Sequence, residues 1–249
     1  TGGMNISARH LFAGRDPKRA VADVQFRIEG PVVAHLQQTF ADDWHFATGE
    51  ELAGEAYFPA LAHRGEALAR GIRSGPNEHL DALFWTVIGA CQSAQRSLHI
   101  MTPYFIPYRS MIASINCAAL RGVEVTLYLP RFGEQPFVHW AATAYLWEFL
   151  KHGVRVVRHG PPFVHSKLLV VDGAWLLIGS GNLDPRSLRL NFEFNVEIYD
   201  EAEARRAIEY MEGTARKGGG EDLTLEKVDA RSLPIRLRDS FTKLFSPYL

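Results

Sequence analysis

Residues 163–182 read FVHSKLLVVDGAWLLIGSGN, two apolar runs of strand length joined by Asp172-Gly173. A two-residue Asp-Gly loop suits a tight hairpin turn, because its backbone twist matches that of the flanking strands. The stretch therefore predicts a β-hairpin. On a strand, residues two apart share a face. His165 and Lys167 thus point to one side, and Ser166 to the layer behind. Counting back across the turn, Gly179–Asn182 arrives beside His165 and Lys167. The hairpin gathers an imidazole, an ammonium, a hydroxyl (Ser180) and an amide (Asn182). Gly179 and Gly181 leave the backbone N–H groups open to an anion.

Such a cluster suits phosphodiester chemistry without a metal. Lys167 and Asn182 can hold non-bridging phosphate oxygens, where negative charge develops. His165 can act as a nucleophile or as a general acid and base. A carboxylate on the next strand can fix its tautomer, and Glu193, in NFEFNVEIYD, is the candidate. Other chemistries lack their signatures. None of the ten histidines falls in H-E-x-x-H spacing, and the two cysteines are far apart, so no metal or other cofactor is expected. There is no G-x-S-x-G elbow, and KGGGE reads as a solvated loop rather than a phosphate-binding one.

The pattern H-x-K-x4-D-x6-G-S-x-N, here His165, Lys167, Asp172, Gly179, Ser180 and Asn182, resembles the motif of the phospholipase D superfamily. The flanks MTPYFIP, NLDPRSLRLNFE, RIEGP, DDWHFATGE and FSPYL resemble its bacterial cardiolipin synthase branch, over nearly the whole chain. In that family two such motifs meet at one site. One His attacks phosphorus, and the other protonates the leaving alcohol and deprotonates the incoming one. The resemblance implies that His165 is the general acid and base, that Glu193 is its acidic partner, and that Asp172 is a structural turn residue. It also implies a phosphatidyltransferase or phosphodiesterase acting on phosphatidylglycerol or a related phospholipid. The implied setting is peripheral, on the cytoplasmic face of a bacterial inner membrane.

The opening residues TGGMN resemble the end of a first motif, with Gly3 and Asn5 as substrate-binding candidates. Its His, Lys and Asp would precede residue 1. Asp23 is then expected to partner that first-motif His. Arg186 and Tyr104 are further substrate-binding candidates; Ser187 beside Arg186 has the chemistry to bind phosphate or to cap locally.

Along the rest of the chain, VADVQFRIEG alternates and predicts a strand over about 22–28, and apolar spacings of three and four predict a helix after Pro31. Residues 49–77 lack a clean period, with a strand expected near 68–73. From 77, with Asn77 as N-cap, the pattern runs helix, strand, helix, strand, helix, strand, then the hairpin, a strand and two helices. The expected fold is α/β and phospholipase D-like, a mostly parallel mixed sheet flanked by helices. Residues 1–54 are expected to be the remnant of a first similar half, 55–76 a connector and 77–249 the second domain.

Hydrophobic content of 47% in 249 residues supports a sizeable core. A net charge of −1 gives no global electrostatic case for nucleic acid. No apolar run is long enough to cross a membrane, and residues 1–30 lack the cationic, apolar, then small-residue order of a signal peptide. Two alternatives stay open: a homodimeric nuclease-like phosphodiesterase with one motif per subunit, and a half that folds without turning over until a complementing N-terminal half joins it.

Overall fold

The computed structural model describes residues 1–11, 16, 20–76 and 79–249. The elements run β1 (Val21–Ala22), α1 (Val33–Thr48), β2 (Leu68–Ser74), α2 (Ala82–Ser93), β3 (Ser97–Met101), α3 (Arg109–Leu120) and β4 (Glu124–Pro130). Then come α4 (Pro136–Thr143), α5 (Leu146–Leu150), β5 (Arg155–His159), β6 (Phe163–Val164), β7 (Leu168–Val171), β8 (Trp175–Gly179) and α6 (Pro185–Arg189). The chain closes with β9 (Glu193–Tyr199), α7 (Glu201–Lys217), β10 (Glu221–Leu223), α8 (Leu225–Asp229) and α9 (Leu233–Lys243).

Eight strands form one sheet in the order β10-β5-β4-β3-β7-β8-β9-β2, and β1 pairs with β6 in a small second ladder. The fold class is mixed α/β. Within the large sheet the expected parallel pairing holds for β3, β4 and β5, which the helical crossovers α3 and α4–α5 connect. Beyond β3 the chain returns through the hairpin, so β7, β8, β9 and β2 are all antiparallel to their neighbours, as is β10.

Both faces of the sheet are covered. One core layer packs Leu98, Ile100, Leu127 and Val156 against Val87, Met111, Ile115 and Phe149 of the helices. The other packs Val170, Leu176, Ile178 and Val196 against Ala204, Ala207 and Met211, which recur at spacings of three and four along α7.

Several expectations shift. The strand at 22–28 shrinks to Val21–Ala22. The third helix of the expected helix–strand alternation is two, α4 and α5, broken at buried Tyr145, whose hydroxyl donates to Ser246 Oγ at 2.9 Å. The strand near 68–73 is β2, and it joins the large sheet through β9. The N-cap assigned to Asn77 lies outside the described residues, and α2 begins at Ala82.

Candidate active site

The hairpin forms as its turn dictates. Leu168 faces Ile178 and Val171 faces Trp175, and Asp172 and Gly173 both take positive φ, 54° and 64°. The Asp172 carboxylate leaves the site altogether. It accepts backbone N–H groups from Gln95, Arg96 and Ser97 at 2.7–3.2 Å, which ties the turn to the start of β3. Burial works to raise its pKa, but those N–H donors and the Arg96 charge outweigh it and hold the carboxyl below its ordinary value.

At the other end of the hairpin the small ladder brings Asp23 to His165. Val21 pairs with Phe163 and Ala22 with Val164, in parallel. One residue further, His165 N–H donates to Ala22 O at 2.7 Å, and the next residues, Asp23 and His165, come side by side. His165 Nδ1 lies 3.0 Å from Asp23 Oδ2. Asp23's side chain is fully buried, while His165's is 16% exposed, so the acid is sealed and the ring stays reachable. Burial pushes Asp23 upward, yet the hydrogen bond from His165 and the charge of Lys167 prevail and keep it below the ordinary carboxylate range. An ionised Asp23 accepts a hydrogen bond from Nδ1–H, which leaves Nε2 as the ring position that can carry or receive a proton.

Lys167 is buried. Its Nζ donates to His165 O at 2.6 Å and lies 2.9 Å from the ring nitrogens. Desolvation brings it down to about 8, against the pull of Asp23, Glu193 and Asp184. Gly3 closes this side: an added Cβ there would stand 3.0 Å from Lys167 Nζ and 3.1 Å from Asp23 Oδ2. Residues 1–3 run antiparallel to 24–26, with Phe26 N–H donating to Thr1 O at 2.8 Å.

The model of the cardiolipin synthase, phospholipase D-like domain matches residues 87–214. The chain belongs to this family. Cardiolipin synthase 2 of Staphylococcus epidermidis is 34% identical over 251 residues, which is 100% of this chain and 51% of the relative. A cardiolipin synthase of a Geobacillus species is 32% identical over 252 residues, 100% of this chain and 49% of the relative. The chain spans about half the length of these curated relatives. In fold it is similar to Nuc, a phospholipase D family member from Salmonella typhimurium (TM-score 0.54, 22% identity, 64% of this chain and 99% of that one). It is similar also to phosphatidylserine synthase of Haemophilus influenzae (TM-score 0.58, 20% identity, 76% of this chain and 50% of that one).

In this cardiolipin synthase-family chain the carboxylates are distributed differently from the expectation. Asp23, assigned to a first-motif His, bonds His165. Glu193, assigned to His165, accepts the Ser180 hydroxyl at Oε2 and Asn191 Nδ2 at Oε1, 3.1 Å. The physical reason is register: the β1–β6 ladder aligns Asp23 with His165, whereas β9 pairs with β8 and so sets Glu193 against the Ser180 loop. Tyr104 does reach the site, its ring 6.2 Å from His165 and edge-on. Asn5 and Arg186 are exposed.

The Gly179–Asn182 loop is clamped from beneath. A Cβ at Gly179 would meet Asn195 Oδ1 at 2.4 Å, and Gly181 N–H donates to that oxygen at 3.3 Å. Asn182 Nδ2 donates to Ser187 Oγ at 3.2 Å, and Asp184 caps α6 by accepting Ser187 N–H at 2.9 Å. Burial raises Asp184 to about 6. Asn195 and Asp184 were not singled out from sequence. Asn195 stands two residues after Glu193 on one strand face, and Asp184-Pro185 is an N-cap followed by Pro at the first helical position. Beyond Ser180 and Glu193 opens a groove of about 480 Å³, bordered also by Asp43, His45, Phe46 and Phe192. That size falls in the range of small-molecule sites.

Proposed function

We propose that this chain is the second-motif half of a phospholipid phosphatidyltransferase, with phosphatidylglycerol or a related lipid as substrate. The observation that carries the reading is the Asp23–His165–Lys167 cluster, with Nδ1 of the imidazole bound to a buried carboxylate at 3.0 Å. Residues 1–54 act as the end of a first half, 55–76 as a connector and 77–249 as the second domain. The protein works as a peripheral enzyme at the cytoplasmic face of the membrane; among the described residues no helix is long and apolar enough to cross one.

In the first step a first-motif His attacks phosphorus. A P–N bond forms as the P–O bond to the leaving alcohol breaks, and His165 gives that oxygen its Nε2 proton. In the second step His165 takes the proton of the incoming alcohol, whose oxygen displaces the histidine. Asp23 holds the ring in one tautomer throughout and stabilises the imidazolium. Lys167, Ser180 and Asn182, with the loop N–H groups, hold the phosphate oxygens. Gly3, Asn5, Arg186 and Tyr104 surround the bound headgroup. The incoming alcohol reaches phosphorus from the groove beside Glu193, whose carboxylate can accept its hydroxyls.

The test is an assay of the protein, together with a first-motif half, on labelled phosphatidylglycerol. Cardiolipin is the expected product, with phosphatidic acid from hydrolysis beside it. Absence of both overturns the reading.

A further inference from the structure

Helix α9 reads LPIRLRDSFTK and carries its apolar residues on the wrong side for packing. Its inner face is polar: Asp239 and Thr242 are the buried residues, and α9 lies against α4. Leu233, Leu237, Phe241 and Leu244, each more than half exposed, fall at spacings of four, four and three. At about 100° per residue they lie within roughly 80° of one another around the axis. They form one outward stripe. An exposed apolar stripe of this length marks an interaction surface.

The charges say which partner. Arg236 flanks the stripe on one shoulder and Arg238 on the other, while Lys243 turns inward to Glu148 Oε1 at 2.9 Å. The one acid of α9, Asp239, is buried and shared by Arg231 and Arg238. The outer surface of α9 thus presents cations and hydrocarbon with no exposed carboxylate. Apolar stripe outward with cations on both shoulders is the arrangement of a helix lying in a lipid headgroup layer.

A second element continues the surface. Arg238 stacks over Trp140 of α4 at 4.2 Å, Trp140 packs on Phe137 at 5.5 Å, and Phe137 and Phe132 are exposed. The start of α4 shares a small cavity with Tyr104, whose ring meets His165. The stripe is therefore joined to the site through α4.

We infer that α9 and the first turn of α4 are a docking face for an anionic phospholipid bilayer. It deepens the proposed function and rests on it for purpose: the face holds the His165 site at the surface where its lipid lies. Docking itself is measured without turnover, so its failure and the failure of the proposed reaction are separate results.

The experiment is co-sedimentation of the protein with vesicles of phosphatidylcholine alone or mixed with phosphatidylglycerol. The variants are the double substitution Leu237→Glu, Phe241→Glu, the single Arg236→Glu, and His165→Ala, each checked by thermal melting. Wild type is expected to bind the anionic vesicles and bind phosphatidylcholine weakly. The double variant is expected to lose at least about tenfold in affinity, Arg236→Glu less, with melting unchanged and His165→Ala still bound. The inference is overturned if wild type ignores anionic vesicles, or if the double variant binds as wild type does. Binding lost in His165→Ala alone also overturns it. So does a dimer in light scattering that the double variant dissociates, since the stripe then serves a second copy of the chain.

Discussion

Asp23 and Glu193 are carboxylates beside the same lysine, and they serve different partners. Asp23 is fully buried at its side chain and bonds His165 from a position 142 residues upstream. Glu193 lies 13 residues after Ser180, accepts that hydroxyl, and forms a wall of the open groove. The acid nearer to the motif in sequence is thus not the one that holds its histidine. A three-residue step, Val21, Ala22, Asp23 alongside Phe163, Val164, His165, decides the pairing. The N-terminal segment is part of the site that the β7–β8 hairpin forms.

The largest effect separates chemistry from support. His165→Ala removes the proposed proton carrier and is expected to lower turnover of labelled phosphatidylglycerol, assayed with a first-motif half, by at least about 10³-fold. Asp23→Asn keeps the volume but loses the charge, and its amide N–H can donate to Nδ1 and so favour the other tautomer. A drop of about 10²–10⁴-fold in kcat is expected, with KM little changed. Glu193→Gln is expected to cost about tenfold and to act on KM for the acceptor alcohol. If the Glu193 variant loses more kcat than the Asp23 variant, the assignment of the two carboxylates is reversed.

How much of this was legible follows from which interactions are local. The hairpin, its Asp-Gly turn and the convergence of His165, Lys167 and Asn182 follow from strand periodicity and turn chemistry over twenty residues. The three parallel strands follow from the alternation of helix and strand between 97 and 159. The Asp23–His165 pair does not, because its register depends on a two-residue ladder between distant segments. Glu193 was placed correctly on the strand after the hairpin; its neighbour depends on the β8–β9 register, which puts Gly179 opposite Asn195. The antiparallel half of the sheet is not legible in the sequence, because a hairpin inserted after β5 can pair on either edge, and it takes the β3 edge.

A third carboxylate sharpens the contrast from outside the site. Asp172 belongs to the motif, yet it faces three backbone N–H groups at the far end of the hairpin. Asp172→Ala is expected to leave kcat unchanged and to lower unfolding stability by about 1–3 kcal/mol in urea titration. The sign with pH follows from its depressed carboxyl. The stabilisation is present above the ordinary aspartate range and is lost as pH falls below about 4 through the folded value. The variant should therefore lose less stability than wild type between pH 5 and 3, and equal acid sensitivity would place the effect elsewhere.

The smallest effect reads the lysine that Asp23 and Glu193 share. Lys167 titrates near 8, because burial favours its neutral form against the pull of both acids. Its charged form exists below that value, so anion binding should weaken as pH rises through it. Sulfate keeps one charge across this range and is the suitable probe. Its affinity for the protein, by calorimetry, is expected to fall about tenfold between pH 7 and pH 9. Lys167→Arg stays charged and should give a flatter profile. Removing either acid removes part of the pull that keeps Lys167 charged. Asp23, the stronger of the two influences, should on conversion to Asn move the midpoint further down than Glu193→Gln does. Equal shifts would mean that the two carboxylates are equivalent from the lysine, and that their difference lies only in which of them touches His165.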